Sequence, residues 1–193
     1  MKIDTLIISL SSALLVGCVT TSVDEMTFEP SVVGDEGGSV VVLGRRHAPD
    51  YDTETDFIQC IGDRITQQSD DIFVIQEQQF EDELYPWFEP RTAPKGLPRL
   101  KRLMQEKSVR VKVDEQSIRY LVWLDGSTET MGQGGSISCA VGPAGGGCFG
   151  FAQWDKLSTY DATIWDLVDL TEKGRLRVDS EGTSYLIGAV API

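Results

Sequence analysis

The order strand, helix, strand between Ser39 and Ile75 restricts the fold of this chain more than any other sequence feature. Ser39 to Gly44 is a continuous apolar run, as expected for a strand that is covered on both faces. A helix-start signal at Thr53 to Asp56 follows. The apolar positions that then recur at helical spacing are Phe57, Cys60, Ile61 and Ile65. With a second apolar run at Asp71 to Ile75, these elements predict a β-α-β unit with parallel strands and a right-handed crossover.

Two more helices are predicted before the chain turns to strands. Gln76 to Leu84 is predicted as a short helix that directs Phe80 and Leu84 inward. Three prolines in Tyr85 to Pro94 exclude regular structure from most of that segment. Leu97 to Met104 has the spacing of a further helix, with basic residues on its outer face.

The second half of the chain has the pattern of a meander. Ile118 to Asp125 carries the strongest strand signal, whereas the short alternation of valines at Val109 to Val113 fixes no element type. A turn is predicted at Thr171 to Gly174. Further strands are predicted at Ser136 to Val141, Phe149 to Trp154, Tyr160 to Val168, Arg175 to Ser180 and Ser184 to Val190. We therefore predict an α/β (α+β) fold in one domain over 39–193: a β-α-β-α start, then an antiparallel meander, in one mixed sheet with helices packed on it.

The amino terminus has the composition of a targeting segment. Thr5 to Val16 is apolar or small throughout and follows the single basic residue Lys2. A membrane-spanning helix needs about 20 apolar residues, so this run is too short to cross a bilayer. We predict a signal peptide over 1–17. The stretch 18–38 is predicted as a flexible tether, because it is rich in Thr, Ser, Gly, Asp and Glu and lacks sustained periodicity.

Leu15-Val16-Gly17-Cys18 ends the apolar run and resembles the cleavage box of bacterial lipoproteins. The resemblance implies that Cys18 becomes the acylated first residue of a membrane-tethered protein outside the cytoplasm. Val19 stands where an aspartate would signal retention in the inner membrane, so the resemblance implies the periplasmic face of the outer membrane. The alternative is an ordinary secretory signal that ends near a cysteine.

The net charge of −13 at pH 7 limits the partners of the chain. Removal of the signal peptide takes away one basic and one acidic residue, Lys2 and Asp4, and leaves this charge unchanged. Nucleic acid phosphates and anionic headgroups repel an acidic body. We therefore expect no nucleic acid partner, and membrane attachment through the lipid alone.

Three cysteines remain after Cys18. Cys139 and Cys148 flank the glycine-rich loop Gly142 to Gly147 and are candidates for a disulfide that closes it. Cys60 then has no partner, and its apolar spacing predicts a buried thiol. A zinc site built from His47 and these cysteines is not favoured, because no ligand pair has zinc-binding spacing. We expect neither a metal nor a cofactor.

Arg45-Arg46-His47 directly follows the first predicted strand of the β-α-β unit. Ligands gather at the carboxyl ends of strands in open α/β sheets, so these side chains are candidates for binding a carboxylate or phosphate. The alternative is a basic cluster that offsets a very acidic surface.

A second candidate site lies in the proline-rich segment. Tyr85, Trp87, Phe88 and Arg91 are residue types that are enriched at interface hot spots, and they stand between prolines. They form either a surface for a protein partner or part of the domain's own core. The glycine-rich loop is instead predicted to be a hairpin tip, because no helix and no lysine follow it.

The element order, the strand Tyr120-Leu121-Val122-Trp123 and the hairpin from Tyr160 through Lys173-Gly174-Arg175 carry a further resemblance. Over roughly Ser39 to Ile193 the chain looks like the periplasmic domain of curli-secretion-channel lipoproteins and related TolB amino-terminal-like domains. The resemblance implies a structural subunit of a ring or channel.

No catalytic residue is predicted. His47 is the sole histidine, and no Gly-x-Ser-x-Gly elbow accompanies it. We therefore predict a lipid-anchored envelope protein that acts as a non-enzymatic binding or assembly module. The alternative is a periplasmic binder or hydrolase of a small anionic ligand that uses Arg45, Arg46 and His47.

Overall fold

The computed structural model describes residues 19–27, 38–48, 51–68, 71–142 and 145–190. The predicted signal peptide, Cys18 and the half of the predicted tether at 28–37 lie outside the described residues, so the boundaries at 17 and 38 stay predictions.

The described chain forms one six-stranded mixed sheet, a two-stranded ribbon and four helices. The strands are β1 (Val19–Thr27), β2 (Ser39–Gly44), β3 (Arg46–Ala48), β4 (Tyr51–Asp52), β5 (Phe73–Ile75), β6 (Ile118–Gly142), β7 (Gly145–Asp166) and β8 (Thr171–Val190). The helices are α1 (Thr55–Gln68), α2 (Glu77–Glu83), α3 (Leu97–Leu103) and α4 (Lys107–Glu115). The sheet order is β1-β8-β7-β6-β2-β5, with β3 and β4 as the ribbon. This arrangement confirms the predicted fold class.

Strand β2 pairs in parallel on both of its sides. Val41 lies opposite Ile75 of β5 and opposite Leu121 of β6. Helix α1 connects β2 to β5, and α2, α3 and α4 lie in sequence between β5 and β6. The predicted β-α-β unit is therefore present. After β5, the chain passes through α2, α3 and α4 and adds β6 to the other edge of β2.

Alternate residues of β2 enter two separate apolar layers. Val41 and Leu43 pack in the larger layer, together with buried side chains from α2, α3, α4 and the segment between α2 and α3. Val40 and Val42 pack in the smaller layer with Ile58 of α1. Because successive side chains of a strand point to opposite faces, four consecutive apolar residues suit a strand with helices on both faces.

The chain divides into two compact units. The first unit comprises 22–127 and 158–179 and contains both apolar layers. The described part of the second unit comprises 19–21, 128–142, 145–157 and 180–190, which belong to strands β1, β6, β7 and β8.

The meander has fewer and longer strands than predicted. The five short strands predicted after Asp125 belong to β6, β7 and β8, because glycines expected to interrupt strands lie inside them. A Cβ atom at Gly135 would lie 2.7 Å from the carbonyl oxygen of Phe151 on the neighbouring strand, so this glycine permits close pairing. The predicted turn at Thr171 to Gly174 is wrong, since β8 begins at Thr171 and the turn occupies 167–170. There the buried Asp166 carboxylate accepts hydrogen bonds from two backbone N–H groups of the turn.

Two further predictions differ from the structure, and one segment that the sequence left open is assigned. Val19–Thr27 of the predicted tether forms strand β1, which pairs with β8 at the edge of the sheet. The valines of 109–113, which fixed no element, lie in α4, where Val109 and Val113 face the core one helical turn apart. Cys60 is exposed, not buried. It lies about 200° around the helix from the buried Ile58, so its position faces away from the sheet.

The pairing of β6 with β7 at Gly126 gives a first prediction. A Cβ atom there would collide with the backbone carbonyl oxygen of Thr159. Gly126→Ala is expected to lower the free energy of unfolding by about 1–3 kcal/mol, because backbone cannot move as a flexible side chain can. Gly134→Ala in the same strand is the control, since its nearest new neighbour is a side-chain carbon at 3.9 Å. Urea unfolding with equal losses for the two variants would contradict this account.

Candidate functional site

The candidate site lies where β2 ends and β6 continues. From β2 the chain passes through α1 to β5, which pairs with one edge of β2, while β6 pairs with the other edge. The carboxyl end of β2 is therefore a topological switch point, the position at which open α/β sheets bind their ligands. Arg45 directly follows β2, and its backbone N–H donates a 2.7 Å hydrogen bond to the carbonyl of Leu124 in β6.

The proline-rich segment covers this end of the sheet. Phe88 is 2% exposed and packs edge-to-face on Phe80 of α2, with ring centroids 4.7 Å apart. The Thr92 hydroxyl donates to the carbonyl of Pro86, and the Ala93 N–H donates to the carbonyl of Glu89 at 2.8 Å. These contacts fix a segment without regular structure, so it provides a defined wall above the strand ends.

A crevice of about 110 Å³ lies between the strand ends and this wall. We call it the Arg45 crevice. Its lining residues are Gly44, Arg45, Arg46, Glu81, Phe88, Pro90, Ala93, Lys95, Trp123 and Asp125. The two candidate sites predicted from the sequence, the basic cluster and the proline-rich segment, thus contribute to one place in the fold.

Arg45 is held in the crevice by stacking and by a hydrogen bond. Its guanidinium carbon lies 3.6 Å from the ring centroid of Trp123 and 5.5 Å from that of Trp165. Its Nη1 donates a 2.8 Å hydrogen bond to the carbonyl of Pro94. Burial lowers the pKa of the Arg45 guanidinium to about 10, against the opposing effect of the Asp125 carboxylate. Arg45 is therefore still a cation at neutral pH, in surroundings that hydrate it poorly.

Arg46 has a different environment because two carboxylates from α2 contact it. Its guanidinium nitrogens lie 3.4 Å from Glu77 and 3.5 Å from Glu81. Glu77 also accepts a 2.8 Å hydrogen bond from the Gly44 backbone N–H. The charge of Arg46 is thus compensated within the protein. This agrees with the alternative interpretation of the basic cluster, in which it offsets acidic residues instead of binding a ligand. The side chain of His47 lies outside the described part of the structure, so its role as an anion ligand stays a prediction.

Glu81 experiences opposing influences in this cluster. Burial raises the pKa of its carboxyl group first, and the Glu77 carboxylate raises it further. Arg46 lowers that pKa, and Glu89 and Asp82 make smaller contributions that raise it. The net direction is upward, so the folded protein retains the proton of Glu81 to a higher pH than an unfolded chain does.

The four candidate partner-binding residues of the proline-rich segment separate into two groups. Phe88 belongs to the core, which is the second of the two alternatives that the sequence left open for this segment. Trp87 is partly buried against the same layer. Tyr85 is 65% exposed, and Arg91 is exposed as well. Only the second pair presents its side chains outward for a partner.

Trp123, Glu81 and Asp125 contribute to the crevice although the sequence singled out none of them. Trp123 and Asp125 stood only within a strong strand signal, and Glu81 within a helix. No local motif marks them, because they come from distant parts of the chain: the parallel pairing of β2 with β6 brings Trp123 and Asp125 to the crevice, and the packing of α2 brings Glu81.

A larger and more open groove of about 440 Å³ runs beside α1. Val42, Ile58 and Ile75 line it together with amide, hydroxyl and carboxylate side chains, and Arg46 contributes to both cavities. Among the described residues, no group of three or more His, Cys, Asp and Glu side chains is placed to hold a metal ion.

The second unit presents apolar side chains instead of a cavity. Ile137 is 79% exposed, Met131 64% and Phe149 56%. The Sγ atoms of Cys139 and Cys148 lie at disulfide-bond distance and connect β6 to β7, so the predicted cysteine pair is present. The Thr183 hydroxyl also donates a 2.7 Å hydrogen bond to Asp155.

No protein-family model matches the chain, and no curated protein is detectably similar to it.

The raised pKa of Glu81 gives a prediction about pH dependence. At pH values above 4.5, the ordinary pKa of this carboxyl group, Glu81 in the folded state must either keep its proton or carry a poorly hydrated charge. Glu81 therefore destabilises the fold as pH rises. Glu81→Gln removes the ionisation. The stability of this variant relative to wild type is expected to be more favourable at pH 7 than at pH 4.

Urea midpoints at both pH values measure this difference. Glu115→Gln, at an exposed position of α4, controls for the loss of one surface charge. A relative stability of Glu81→Gln that is the same at pH 4 and pH 7 would contradict the proposed direction of the shift.

Proposed function

We propose that this protein is a lipid-anchored bacterial envelope protein and acts as a non-enzymatic binding or assembly module. Attachment rests on the sequence Leu15-Val16-Gly17-Cys18, with acylated Cys18 as the anchor. None of the four helices in the described part of the chain combines the length and the apolar character that a membrane crossing requires. Stable anchoring needs more than one acyl chain, so we propose a multiply acylated cysteine. The absence of an aspartate after Cys18 favours the periplasmic face of the outer membrane.

Binding to another protein, or to further copies of this chain, rests on one observation, the exposed apolar side chains of the second unit. Ile137, Met131 and Phe149 each leave more than half of their surface accessible. Contiguous exposed apolar surface marks interaction sites in soluble domains, and we propose that these three side chains contribute to such a surface. A partner that covered them would remove this apolar surface from water, which stabilises the complex in proportion to the area buried.

The same unit is ordered before any partner arrives. The Cys139–Cys148 pair joins β6 to β7, and the Thr21 and Ser180 hydroxyls, on β1 and β8, hydrogen-bond at 3.3 Å. A surface that is already held in its bound conformation loses less entropy on association. This order supports a stable docking surface rather than a segment that folds upon binding.

Binding of an anionic ligand by Arg45 and Arg46 together is less well supported. Glu77 and Glu81 already contact Arg46, so an anion would have to displace a carboxylate from it. Hydrolysis by this cluster has no supporting contact among the described side chains. We therefore keep the binding or assembly module as the proposed function.

Lipid anchoring is tested by Cys18→Ser. This variant is expected to leave the membrane fraction and to incorporate no radiolabelled palmitate, because the acylated thiol is gone. Cys60→Ser is the matched control, since Cys60 is the exposed free cysteine of the described chain. A Cys18→Ser protein that remains in the membrane fraction would contradict the anchor.

Association is tested by Ile137→Asn combined with Phe149→Asn. Loss of two large apolar contacts is expected to weaken self-association, or retention of a crosslinked envelope partner, at least tenfold. Phe73→Asn is the control, because Phe73 is 67% exposed on β5 in the first unit. The measurements are analytical sedimentation of the soluble domain and crosslinking in intact cells. Unchanged sedimentation and unchanged crosslinks in the double variant would contradict the proposed surface.

A further inference from the structure

The Arg45 guanidinium in the crevice has hydrogen-bonding capacity that the described residues leave unused. It stacks on Trp123, which is 4% exposed and whose indole Nε1 has almost no accessible surface. The Arg45 guanidinium carries five N–H groups, and the carbonyl of Pro94 is its one hydrogen-bond acceptor in the described part of the protein. Buried N–H groups are nearly always hydrogen-bonded, so unfilled donors beside a cavity point to a ligand.

The position of Arg45 is fixed without a ligand. Its guanidinium stacks at 3.6 Å over the Trp123 ring, and Nη1 is held by Pro94. On the main chain, the Arg45 N–H donates to Leu124 and the Arg45 carbonyl accepts from the Thr53 N–H at 3.1 Å. A binding residue held this firmly loses little conformational entropy when a ligand arrives.

We propose that the Arg45 crevice binds the carboxylate group of a small molecule or of a chain end, with the Arg45 guanidinium as the hydrogen-bond donor and the Trp123 ring as the surface that holds it in place. Guanidinium and carboxylate form strong charge-assisted hydrogen bonds in a planar geometry. Lys95 is exposed at the lining of the crevice and adds a second positive charge. Arg46 also lines the crevice, but Glu77 and Glu81 of α2 compensate its charge, so it is not assigned as a donor to the ligand.

The composition of the crevice favours a carboxylate over a phosphate. Asp125 and Glu81 also line it, and they repel a dianion more strongly than a monoanion. The small volume of about 110 Å³ suits one small acidic group. Burial of Arg45 adds to the preference for an anion, since an anionic partner replaces hydration that the guanidinium has lost.

This site is independent of the proposed assembly surface. All residues that line the crevice belong to the first unit, whereas the exposed apolar residues Ile137, Met131 and Phe149 belong to the second. Loss of carboxylate binding therefore leaves the proposed association untested, and loss of association does not affect the crevice.

The experiment measures thermal stability and tryptophan fluorescence of the wild-type chain in sodium acetate, in sodium chloride at equal ionic strength, and in sodium phosphate. Acetate is expected to raise the Tm in a saturable manner and to change the fluorescence over the same concentration range. Chloride is expected to do neither, and phosphate is expected to act more weakly than acetate at pH 7.

The variants test the donor and the ring on which it stacks. Arg45→Lys keeps the charge but removes the planar fork, and we expect it to weaken acetate binding about tenfold or more. Trp123→Phe leaves a smaller aromatic face under Arg45, which holds the guanidinium less firmly, and we expect a loss of several-fold. Arg102→Lys on the exposed side of α3 and Trp154→Phe in the second unit are the matched controls and are expected to bind acetate as wild type does.

Three results would overturn the proposal: acetate acts no differently from chloride on wild type, both variants bind acetate as wild type does, or phosphate saturates where acetate does not. Near-UV circular dichroism establishes that each variant is folded. If Arg45→Lys does not fold, the comparison of Trp123→Phe with Trp154→Phe decides the outcome, because both substitutions replace an indole by a phenyl ring.

Discussion

The parallel pairing of β2 on both of its sides is the constraint on which the first unit depends. Val40 to Leu43 are each at most 5% exposed, and their backbone hydrogen bonds go to β5 on one side and β6 on the other. Since alternate side chains enter opposite layers, α1 must cover one face, and α2, α3 and α4 the other. A strand enclosed in this way cannot be moved to a sheet edge without exposing four aliphatic residues at once. Its carboxyl end therefore fixes where the crevice forms.

The crevice depends on contacts that link several elements to the end of β2. The Gly44 N–H is bound by Glu77 of α2, and Arg45 binds Pro94 and stacks on Trp123 of β6. Each contact uses a residue that directly follows or ends β2, so the position of the strand sets the geometry of all of them. A change at any of these partners would move the crevice wall without altering the strand itself. This separation of a rigid strand end from a surrounding set of side-chain contacts is typical of binding sites in α/β sheets.

The sequence predicted the elements whose apolar period is unambiguous. Strand β2, helix α1, strand β5 and helices α2 and α3 follow from continuous apolar runs or from 3.6-residue spacing, because each must bury one face or both. The same reasoning was wrong for Cys60, where one apolar residue outside the buried stripe was counted within it. It also divided β6, β7 and β8 into short strands, since glycine marks turns in a sequence but here permits close approach of neighbouring strands.

The crevice itself was only partly predictable. Arg45 and Arg46 are adjacent in sequence and looked equivalent, yet one stacks on Trp123 and the other contacts Glu77 and Glu81. Neighbours along a strand end point in different directions, so a run of basic residues does not define one charged surface. The partners that distinguish the two arginines lie more than 30 residues away in the chain, and their contacts depend on the packing of α2 and β6 against β2.

The net charge of −13 bears on the nature of any partner at the second unit. Two copies of an acidic chain repel each other, and salt screens that repulsion, so self-association through apolar side chains strengthens as ionic strength rises. A basic partner is attracted by the same charge, and salt weakens that attraction. In the proposed assembly, apolar contacts at Ile137, Met131 and Phe149 would supply the short-range attraction in either case. The sign of the salt dependence therefore separates a second copy of this chain from a basic protein, because only the long-range charge interaction differs between them.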